Sequence, residues 1–231
     1  MSKVLVLLSG GMDSAVVLGK VVNAYGAENV VALNMFYGQR HTREIECAKD
    51  IAKHYDVKLM EMDISSAFAG ISSALLSHSS IEIEDDQDKN KVGSTYVPGR
   101  NSIFLSIAAG IADSIGAEFV YYGAHADDHS GYPDCTTAFV EKMTEALIEG
   151  TDNGVRIQAP FVKYHKSQIV KDGIAIGVPF EMTHSCYRGE YPACGTCPTC
   201  QLRLEAFKEA GQIDPINYKG DFDEEDSDSR D

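Results

Sequence analysis

The chain has 231 residues, of which 44% are hydrophobic, so it is long enough to bury the core of an α/β domain with a small appendage. Its 35 acidic and 20 basic residues give a net charge of −15, which argues against binding nucleic acid over a broad basic surface and favours small-molecule ligands. There is no run of about 20 apolar residues and no cleavable signal pattern, so we expect a cytoplasmic protein without a membrane partner.

Four apolar segments without strict alternation are predicted to be strands of a parallel sheet that is covered on both faces. They span residues 3–8, 29–36, 57–64 and 118–123. Between them, residues 13–26, 42–55 and 100–116 have apolar positions at helical spacing. This order, β-α-β-α-β-α-β, predicts an α/β fold with a doubly wound parallel sheet.

The remainder of the chain is less regular. Residues 77–94 hold five acids and few apolar positions, which predicts a surface loop, with disorder favoured over an active-site lid. A helix follows residue 134, then a short strand near 155–160 and a helix from about His165. We therefore expect a nucleotide-binding domain over 1–183, a zinc-binding and helical appendage over 184–212, and an acidic, disordered tail over 213–231.

The first predicted strand runs into a turn with two adjacent glycines, which opens a helix. The turn consists of Ser9, Gly10, Gly11, Met12, Asp13 and Ser14. Backbone N–H groups at a helix start, flanked by hydroxyls, suit a bound phosphate. The turn lacks the Gly-Lys-Ser/Thr ending of a P-loop and the third glycine of a dinucleotide fingerprint. A plain tight turn, with Asp13 or Ser14 capping the helix, is the alternative interpretation.

Four of the six cysteines fall within fifteen residues in a C-x7-C-x2-C-x2-C pattern: Cys186, Cys194, Cys197 and Cys200. Two-residue gaps let thiolates converge on one tetrahedral ion, so the pattern predicts a structural zinc site with no open coordination position. An iron–sulfur cluster with the same ligands stays open as the alternative. Cys47 and Cys135 are predicted to be packed core thiols.

Three further polar, glycine-bearing segments lie near predicted strand ends or helix starts: residues 36–41, FYGQRH; 97–101, VPGRN; and 130–135, SGYPDC. Such segments can converge on one crevice at the edge of a parallel sheet. Arg100 is a candidate partner for a carboxylate or phosphate, and Tyr37 or Tyr132 for a planar ring.

Together these motifs resemble known proteins. The SGGMDS turn is similar to the pyrophosphate loop of N-type ATP pyrophosphatases. With YGQRH, VPGRN, SGYPDC and the cysteines, residues 3–210 resemble the 7-cyano-7-deazaguanine synthase family. The resemblance implies an ATP-dependent ligase that converts 7-carboxy-7-deazaguanine and ammonia to the nitrile through adenylated and amide intermediates, in deazapurine nucleoside biosynthesis. It also implies ATP, Mg²⁺ and Zn²⁺ as cofactors, and a homodimer.

Residue roles follow from the same resemblance. Asp13 and Lys166 would be catalytic, and Lys163 is the second candidate for the role of Lys166. Ser9 to Ser14 would hold the pyrophosphate. The substrate-binding candidates are Tyr37, Gln39, Arg40, Arg100, Asn101, Asp128, Tyr132 and Asp134. The neighbouring His125, Asp127 and His129 are interpreted as solvated or ligand-facing residues, not as a second metal site.

Two alternatives remain at this stage. A tRNA thiolase or another amidating ligase can share the pyrophosphate loop, although a thiolase needs a basic face and a reactive cysteine. A catalytically silent nucleotide sensor is the other. Phe36, at a position that is usually Asp or Asn in the family, is the one feature in its favour.

Overall fold

The structure, a computed structural model, describes residues 2–84, 93–128 and 132–220. Five parallel strands form one sheet in the order β3-β2-β1-β4-β5. The strands are β1 (Lys3–Leu7), β2 (Val30–Phe36), β3 (Lys58–Asp63), β4 (Ala117–Tyr121) and β5 (Arg156–Gln158). The predicted doubly wound sheet is therefore confirmed, and β5 is the short strand expected near 155–160.

Six α-helices lie in the described part of the chain. They are α1 (Met12–Tyr25), α2 (Arg43–His54), α3 (Arg100–Ile115), α4 (Thr137–Gly150), α5 (Lys166–Ala175) and α6 (Pro198–Glu209). Helices α1, α2, α5 and α6 contribute to the core on one face of the sheet, while α3 and α4 pack on the other. None of these helices combines the length and the apolar character needed to span a membrane.

Burial of the sheet on both faces explains the continuous apolar strands. On β1, Val4 and Val6 belong to the core under α1, whereas Leu5, pointing the opposite way, belongs to the core under α3. All three side chains are fully buried. A strand with two buried faces needs apolar residues at successive positions, which is why β1 shows no alternation.

The strand order places a crevice at one edge of the sheet. The chain goes outward from β1 through β2 to β3, then returns through α3 to place β4 on the other side of β1. The connections that leave β1 and β4 therefore diverge, and the space beyond their carboxyl ends stays open. The SGGMDS turn follows β1 directly, so it borders this crevice.

The structure corrects the predicted start of the tail at residue 213. Residues 213–220 pack on the cysteine-rich appendage: Tyr218 is buried and forms a β-bridge with Ala193. The buried Arg203 side chain is paired with Asp214, with an Nε–Oδ2 distance of 2.7 Å. The appendage therefore extends to residue 220, and the strongly acidic 221–231 lie outside the described residues.

The predicted loop over 77–94 is described in part. Ser77 N–H donates to the Gly38 carbonyl at 2.8 Å, which holds the start of the loop beside the end of β2. Residues 85–92, which contain three of the five acids, lie outside the described residues.

Candidate active site

A cavity of about 240 Å³ occupies the crevice beyond β1 and β4. Its walls come from the turn after β1, the segment after β2, the segment after β4, and the starts of α2, α3 and α5. Among the residues predicted from sequence, it is lined by Ser9, Gly11, Asp13, Ser14, Tyr37, Gln39, Arg100, Asn101 and Lys166. Motifs that are far apart in sequence thus meet in one cavity.

The glycine turn leaves the start of α1 open. Gly11 is the N-cap residue, and no side chain in the described part of the chain caps the helix. The alternative interpretation, a turn with Asp13 or Ser14 as the cap, is therefore wrong: Ser14 Oγ instead donates to the Gly11 carbonyl at 2.9 Å. Ser9 Oγ lies 3.1 Å from Ser14 Oγ and accepts from Gly11 N–H at 3.2 Å. Two hydroxyls thus border a positive helix end.

Gly10 is required by the close approach of α2. Its φ is +96°, and a Cβ atom at this position would lie 2.0 Å from the Glu44 carbonyl oxygen. The Gly10 carbonyl also accepts a hydrogen bond from His184 N–H at 3.0 Å. The turn is therefore held between the first turn of α2 and the segment that enters the cysteine cluster.

Asp13 and Lys166 form an ion pair in the cavity wall. Lys166 Nζ lies 3.2 Å from Asp13 Oδ2, and the Lys166 side chain is 7% exposed. Burial alone would raise the pKa of Asp13, but the charges of Lys166 and His125 outweigh it and hold the pKa below its usual value. Asp13 Oδ1 is buried and forms no hydrogen bond with any described residue. This carboxylate oxygen is therefore available to a ligand.

The His- and Asp-rich segment after β4 positions Lys166. Asp127 Oδ2 accepts from the Lys166 backbone N–H at 2.7 Å, and Asp127 Oδ1 lies 2.7 Å from His165 Nδ1. Burial would raise the pKa of Asp127, but the hydrogen bonds from His165 and Lys166 lower it. Asp127 thus caps α5 from a different part of the chain. Lys163 is exposed and lies outside the cavity lining, which favours Lys166.

The opposite wall carries the second cationic group. The Arg100 guanidinium lies over the Tyr37 ring, 5.7 Å from its centroid. Gln39 Oε1 accepts from Tyr37 N–H at 2.9 Å, which fixes the segment after β2. Burial raises the pKa of Tyr37 although Arg100 opposes it. The phenol therefore stays neutral beside a permanent positive charge.

Three of the predicted substrate residues are placed away from the cavity lining. Asp134 Oδ2 accepts from Asn101 N–H at 3.1 Å, so the SGYPDC segment caps α3. Tyr132 OH lies 2.9 Å from Thr95 Oγ1. Arg40 Nη2 donates to the Ser79 carbonyl at 2.7 Å and also contacts the Ile81 carbonyl. These side chains brace the walls. The side chain of Asp128 lies outside the described part.

His125, which the sequence analysis interpreted as solvated or ligand-facing, lines the cavity, and several other polar lining residues, among them Asn34 and Glu44, were not predicted. His125 Nε2 lies 3.8 Å from Asp13 Oδ2, and Asn34 Nδ2 donates to the Leu8 carbonyl at 2.7 Å. Glu44, on the first turn of α2, lines the cavity, and burial raises its pKa to about 7 against the opposing charge of Arg100. A Glu in the first turn of a helix is common, so its sequence position carries no distinguishing signal.

The four clustered cysteines converge as predicted. Their sulfur atoms all lie within 4.8 Å of one another, and all four residues are buried. Gly195, with φ +75°, makes the turn between Cys194 and Cys197, and Cys197 N–H donates to Cys194 Sγ at 3.3 Å. This arrangement fits one tetrahedral metal ion. Cys47 and Cys135 are buried as expected, although Cys135 also lines the cavity.

Comparison with known proteins first defines the fold class. The structure of NMN synthetase from Francisella tularensis superposes with a TM-score of 0.51 at 15% identity, covering 91% of this chain and 78% of that one. At this identity the likeness concerns the fold alone. A family model described as queuosine biosynthesis protein QueC matches residues 3–211, and the chain belongs to this family.

Two curated relatives agree with this assignment. A 7-cyano-7-deazaguanine synthase from Oceanobacillus iheyensis is 42% identical over 221 residues, covering 94% of this chain and 98% of the relative. One from Psychromonas ingrahamii is 44% identical over 218 residues, with the same two coverages. The family resemblance inferred from the motifs is therefore confirmed.

Proposed function

We propose that this chain is an ATP-dependent carbon–nitrogen ligase that converts 7-carboxy-7-deazaguanine and ammonia to 7-cyano-7-deazaguanine. The family and the relatives named above support the reaction. The observation that carries the proposal is the Asp13–Lys166 pair at the open start of α1, because it places a cation and a carboxylate where a nucleotide's phosphates meet a helix N-terminus.

ATP, when bound, activates first the carboxylate oxygen and then the amide oxygen by transfer of AMP with loss of pyrophosphate. Ammonia replaces the first AMP to give the amide, and loss of the second AMP with two protons leaves the nitrile. In this proposal the Ser9 and Ser14 hydroxyls and the start of α1 hold the phosphates. Lys166 stabilises the negative charge that grows on the α-phosphate, and such electrostatic stabilisation is the main contribution of a fixed ammonium group.

A magnesium ion fits the residues that are present. Asp13 Oδ1 is a buried carboxylate oxygen with no described hydrogen-bond partner, and Mg²⁺ is bound through one or two carboxylates together with substrate phosphates. We propose that Asp13 uses this oxygen for Mg²⁺ while its other oxygen keeps the contact with Lys166. The ion would neutralise the phosphate charge, and Asp13 would set its position.

Arg100 is proposed to bind the substrate's carboxylate. Its guanidinium lies over Tyr37 in the wall opposite the Asp13–Lys166 pair, and guanidinium groups bind carboxylates through two parallel hydrogen bonds. The Tyr37 ring and Asn101 are proposed to hold the deazapurine. Asp134 keeps one oxygen on Asn101 N–H and lies outside the cavity lining, so we propose that it acts on the guanine-like edge by orienting Asn101.

The four-cysteine cluster is proposed to hold Zn²⁺ as a structural ion. Four thiolates within 4.8 Å fill a tetrahedral shell, which leaves no position for a substrate. An iron–sulfur cluster is the alternative occupant. A homodimer is proposed from the family resemblance alone, and the cytoplasmic location stays the expectation drawn from the sequence. The net charge of −15 supports small molecules over nucleic acid as partners.

Mass spectrometry tests the reaction. The purified full chain is incubated with ATP, Mg²⁺, ammonium and 7-carboxy-7-deazaguanine, and both the nucleotide and the deazapurine are followed. We expect AMP and the nitrile together, with the amide as a transient. AMP without nitrile would indicate another acceptor, and the absence of both products would overturn the proposal in favour of a silent sensor. Omission of ammonium is the matched control.

A further inference from the structure

A second cavity of about 270 Å³ lies between α2, the segment 181–184 and the appendage. Its rim is exposed and charged: it includes Arg43, Asp50 and Glu181. Its inner part is buried and includes Thr183 and His184. The cavity is thus open to solvent at one end and reaches the protein interior at the other.

The wall between the two cavities is thin. Glu44 lines the active-site cavity, whereas its neighbour Arg43 lines the second one. In the same way, Ser185 lines the first cavity and His184 the second. The His41 ring, which borders the active-site cavity, packs edge-to-face on the His184 ring with a centroid distance of 5.8 Å. These two imidazoles therefore lie next to each other in the wall, and each borders one of the two cavities.

Both imidazoles have a buried ring nitrogen without a hydrogen bond. Among the described residues, neither His184 Nε2 nor His41 Nδ1 has a partner, and His184 is 3% exposed. Leaving a buried polar nitrogen unpaired costs free energy, so such an atom in a native protein requires an explanation such as a ligand. Two of them in one wall provide consecutive hydrogen-bonding positions for a small polar molecule.

Charge and size restrict what this molecule is. The rim has two carboxylates, Asp50 and Glu181, and one guanidinium, that of Arg43. The Arg43 Cζ atom lies 4.6 Å from the centroid of the Tyr191 ring. In a chain with a net charge of −15, this rim favours a cation. Rings in edge-to-face contact leave room only for the smallest solutes. An ammonium ion satisfies both restrictions, whereas a nucleotide or a deazapurine satisfies neither.

We propose that the second cavity takes up ammonium from solvent and that His184 and His41 pass the ion through the wall to the active-site cavity. This inference rests on the proposed function, because it names the route of that reaction's nitrogen donor. Ammonium donates hydrogen bonds, and a neutral imidazole has one ring nitrogen that accepts, so the ion can exchange partners between the two imidazoles without a change in their protonation.

Ammonium must lose one proton before its nitrogen can attack an activated carbonyl carbon. Glu44 lies on the active-site side of the wall, and its pKa of about 7 lets the ionised carboxylate take that proton and later return it to solvent. The step is balanced: ammonium and the Glu44 carboxylate give ammonia and the neutral carboxylic acid. Arg100, which opposes the raised pKa, keeps part of Glu44 ionised near neutral pH.

Steady-state kinetics of the full chain test the route. Nitrile formation is measured against ammonium concentration at saturating ATP and 7-carboxy-7-deazaguanine, for wild type, the rim variant Asp50→Asn/Glu181→Gln, and the exposed control Glu145→Gln. We expect the rim variant to raise the KM for ammonium about three- to tenfold, with kcat and the KM for ATP unchanged, since exposed charges contribute modestly. The control should match wild type.

The wall itself is tested with His184. We expect His184→Phe to raise the KM for ammonium about tenfold or more, because it removes a hydrogen-bonding position. His184→Gln, which keeps a polar side chain there, should raise this KM less. Should His184→Phe fail to fold, the KM for ammonium of the rim variant still tests the route. If wild type makes no nitrile, the proposed function fails. If wild type makes nitrile but the rim variant has the control's KM for ammonium, the route is wrong and the function stands.

Discussion

Lys166 Nζ lies 3.2 Å from Asp13 Oδ2, although the two residues open different helices, α5 and α1. The pair exists because α5 begins beside the SGGMDS turn, where Asp127 accepts the Lys166 backbone N–H. A buried cation thus receives its counter-charge from the SGGMDS turn itself. If phosphates bind here as proposed, they meet an ammonium group whose position is already set.

We expect Lys166→Met to lower the rate of AMP formation with 7-carboxy-7-deazaguanine by about 10²- to 10³-fold, because a fixed charge beside the α-phosphate is lost. Lys163→Met is the matched control, since Lys163 is exposed and outside the cavity lining. It should keep the wild-type rate. Equal losses in the two variants would contradict the assignment of Lys166.

Gly10 and Gly11 should respond differently to substitution by alanine. A Cβ atom at Gly10 would lie 2.0 Å from the Glu44 carbonyl oxygen, whereas at Gly11 the nearest atom is Ser9 Oγ at 3.4 Å. With φ at +96° as well, Gly10→Ala should cost on the order of 3 kcal/mol of unfolding free energy. Urea unfolding measures this, and Gly11→Ala should remain close to wild type. If the two variants lose similar amounts of unfolding free energy, α2 moves to make room for the added Cβ atom.

Glu44 should make stability depend on pH. Its folded-state pKa of about 7 exceeds the ordinary 4.5, so the folded chain holds a proton that the unfolded chain releases first. The free energy of unfolding should therefore fall as pH rises between these values, by on the order of 1–3 kcal/mol from this group. Arg100 and Cys186 are the charged groups that act on it.

Glu44→Gln should remove this part of the decline, because glutamine does not titrate. Glu46→Gln, on the same turn but exposed, is the control and should retain the wild-type slope. The measurement is the free energy of unfolding in urea across that pH range. A Glu44→Gln slope equal to that of the control would show that Glu44 titrates normally.

Cys197→Ser should lower bound zinc and soluble yield, since three thiolates hold the ion less well than four and the appendage depends on it. Cys47→Ser, which replaces a buried cysteine outside the cluster, should retain the metal. Elemental analysis of the purified proteins distinguishes the two. Iron together with inorganic sulfide in the wild type would show that the four cysteines hold an iron–sulfur cluster and not zinc.

Two truncations test the extended appendage. Removal of 221–231 should leave the unfolding free energy unchanged. Removal from 213 onward takes away Asp214, the partner of the fully buried Arg203, and should cost about 3–5 kcal/mol because an uncompensated charge remains inside. Thermal unfolding of both variants is the measurement. If the longer truncation is as stable as the shorter one, residues 213–220 do not contribute.

The sequence predicted the sheet and the glycine turn because both depend on local patterns. Apolar runs such as β1 and the paired glycines after it carry their own signal. The capping of α5 by Asp127 and the pairing of Arg203 with Asp214 depend on contacts between separate segments, and no local pattern announces them. Arg40 illustrates the same limit: its motif indicates a binding segment, but only the fold shows that it holds loop carbonyls.

The hydrogen bond from His184 N–H to the Gly10 carbonyl has a consequence for the modularity of this chain. This hydrogen bond joins the strand-helix turn directly to the entry of the cysteine-rich appendage. An appendage exchanged between relatives would have to bring its own 183–185 segment together with a matching glycine turn. The two regions should therefore be exchanged as a pair in engineered chimaeras.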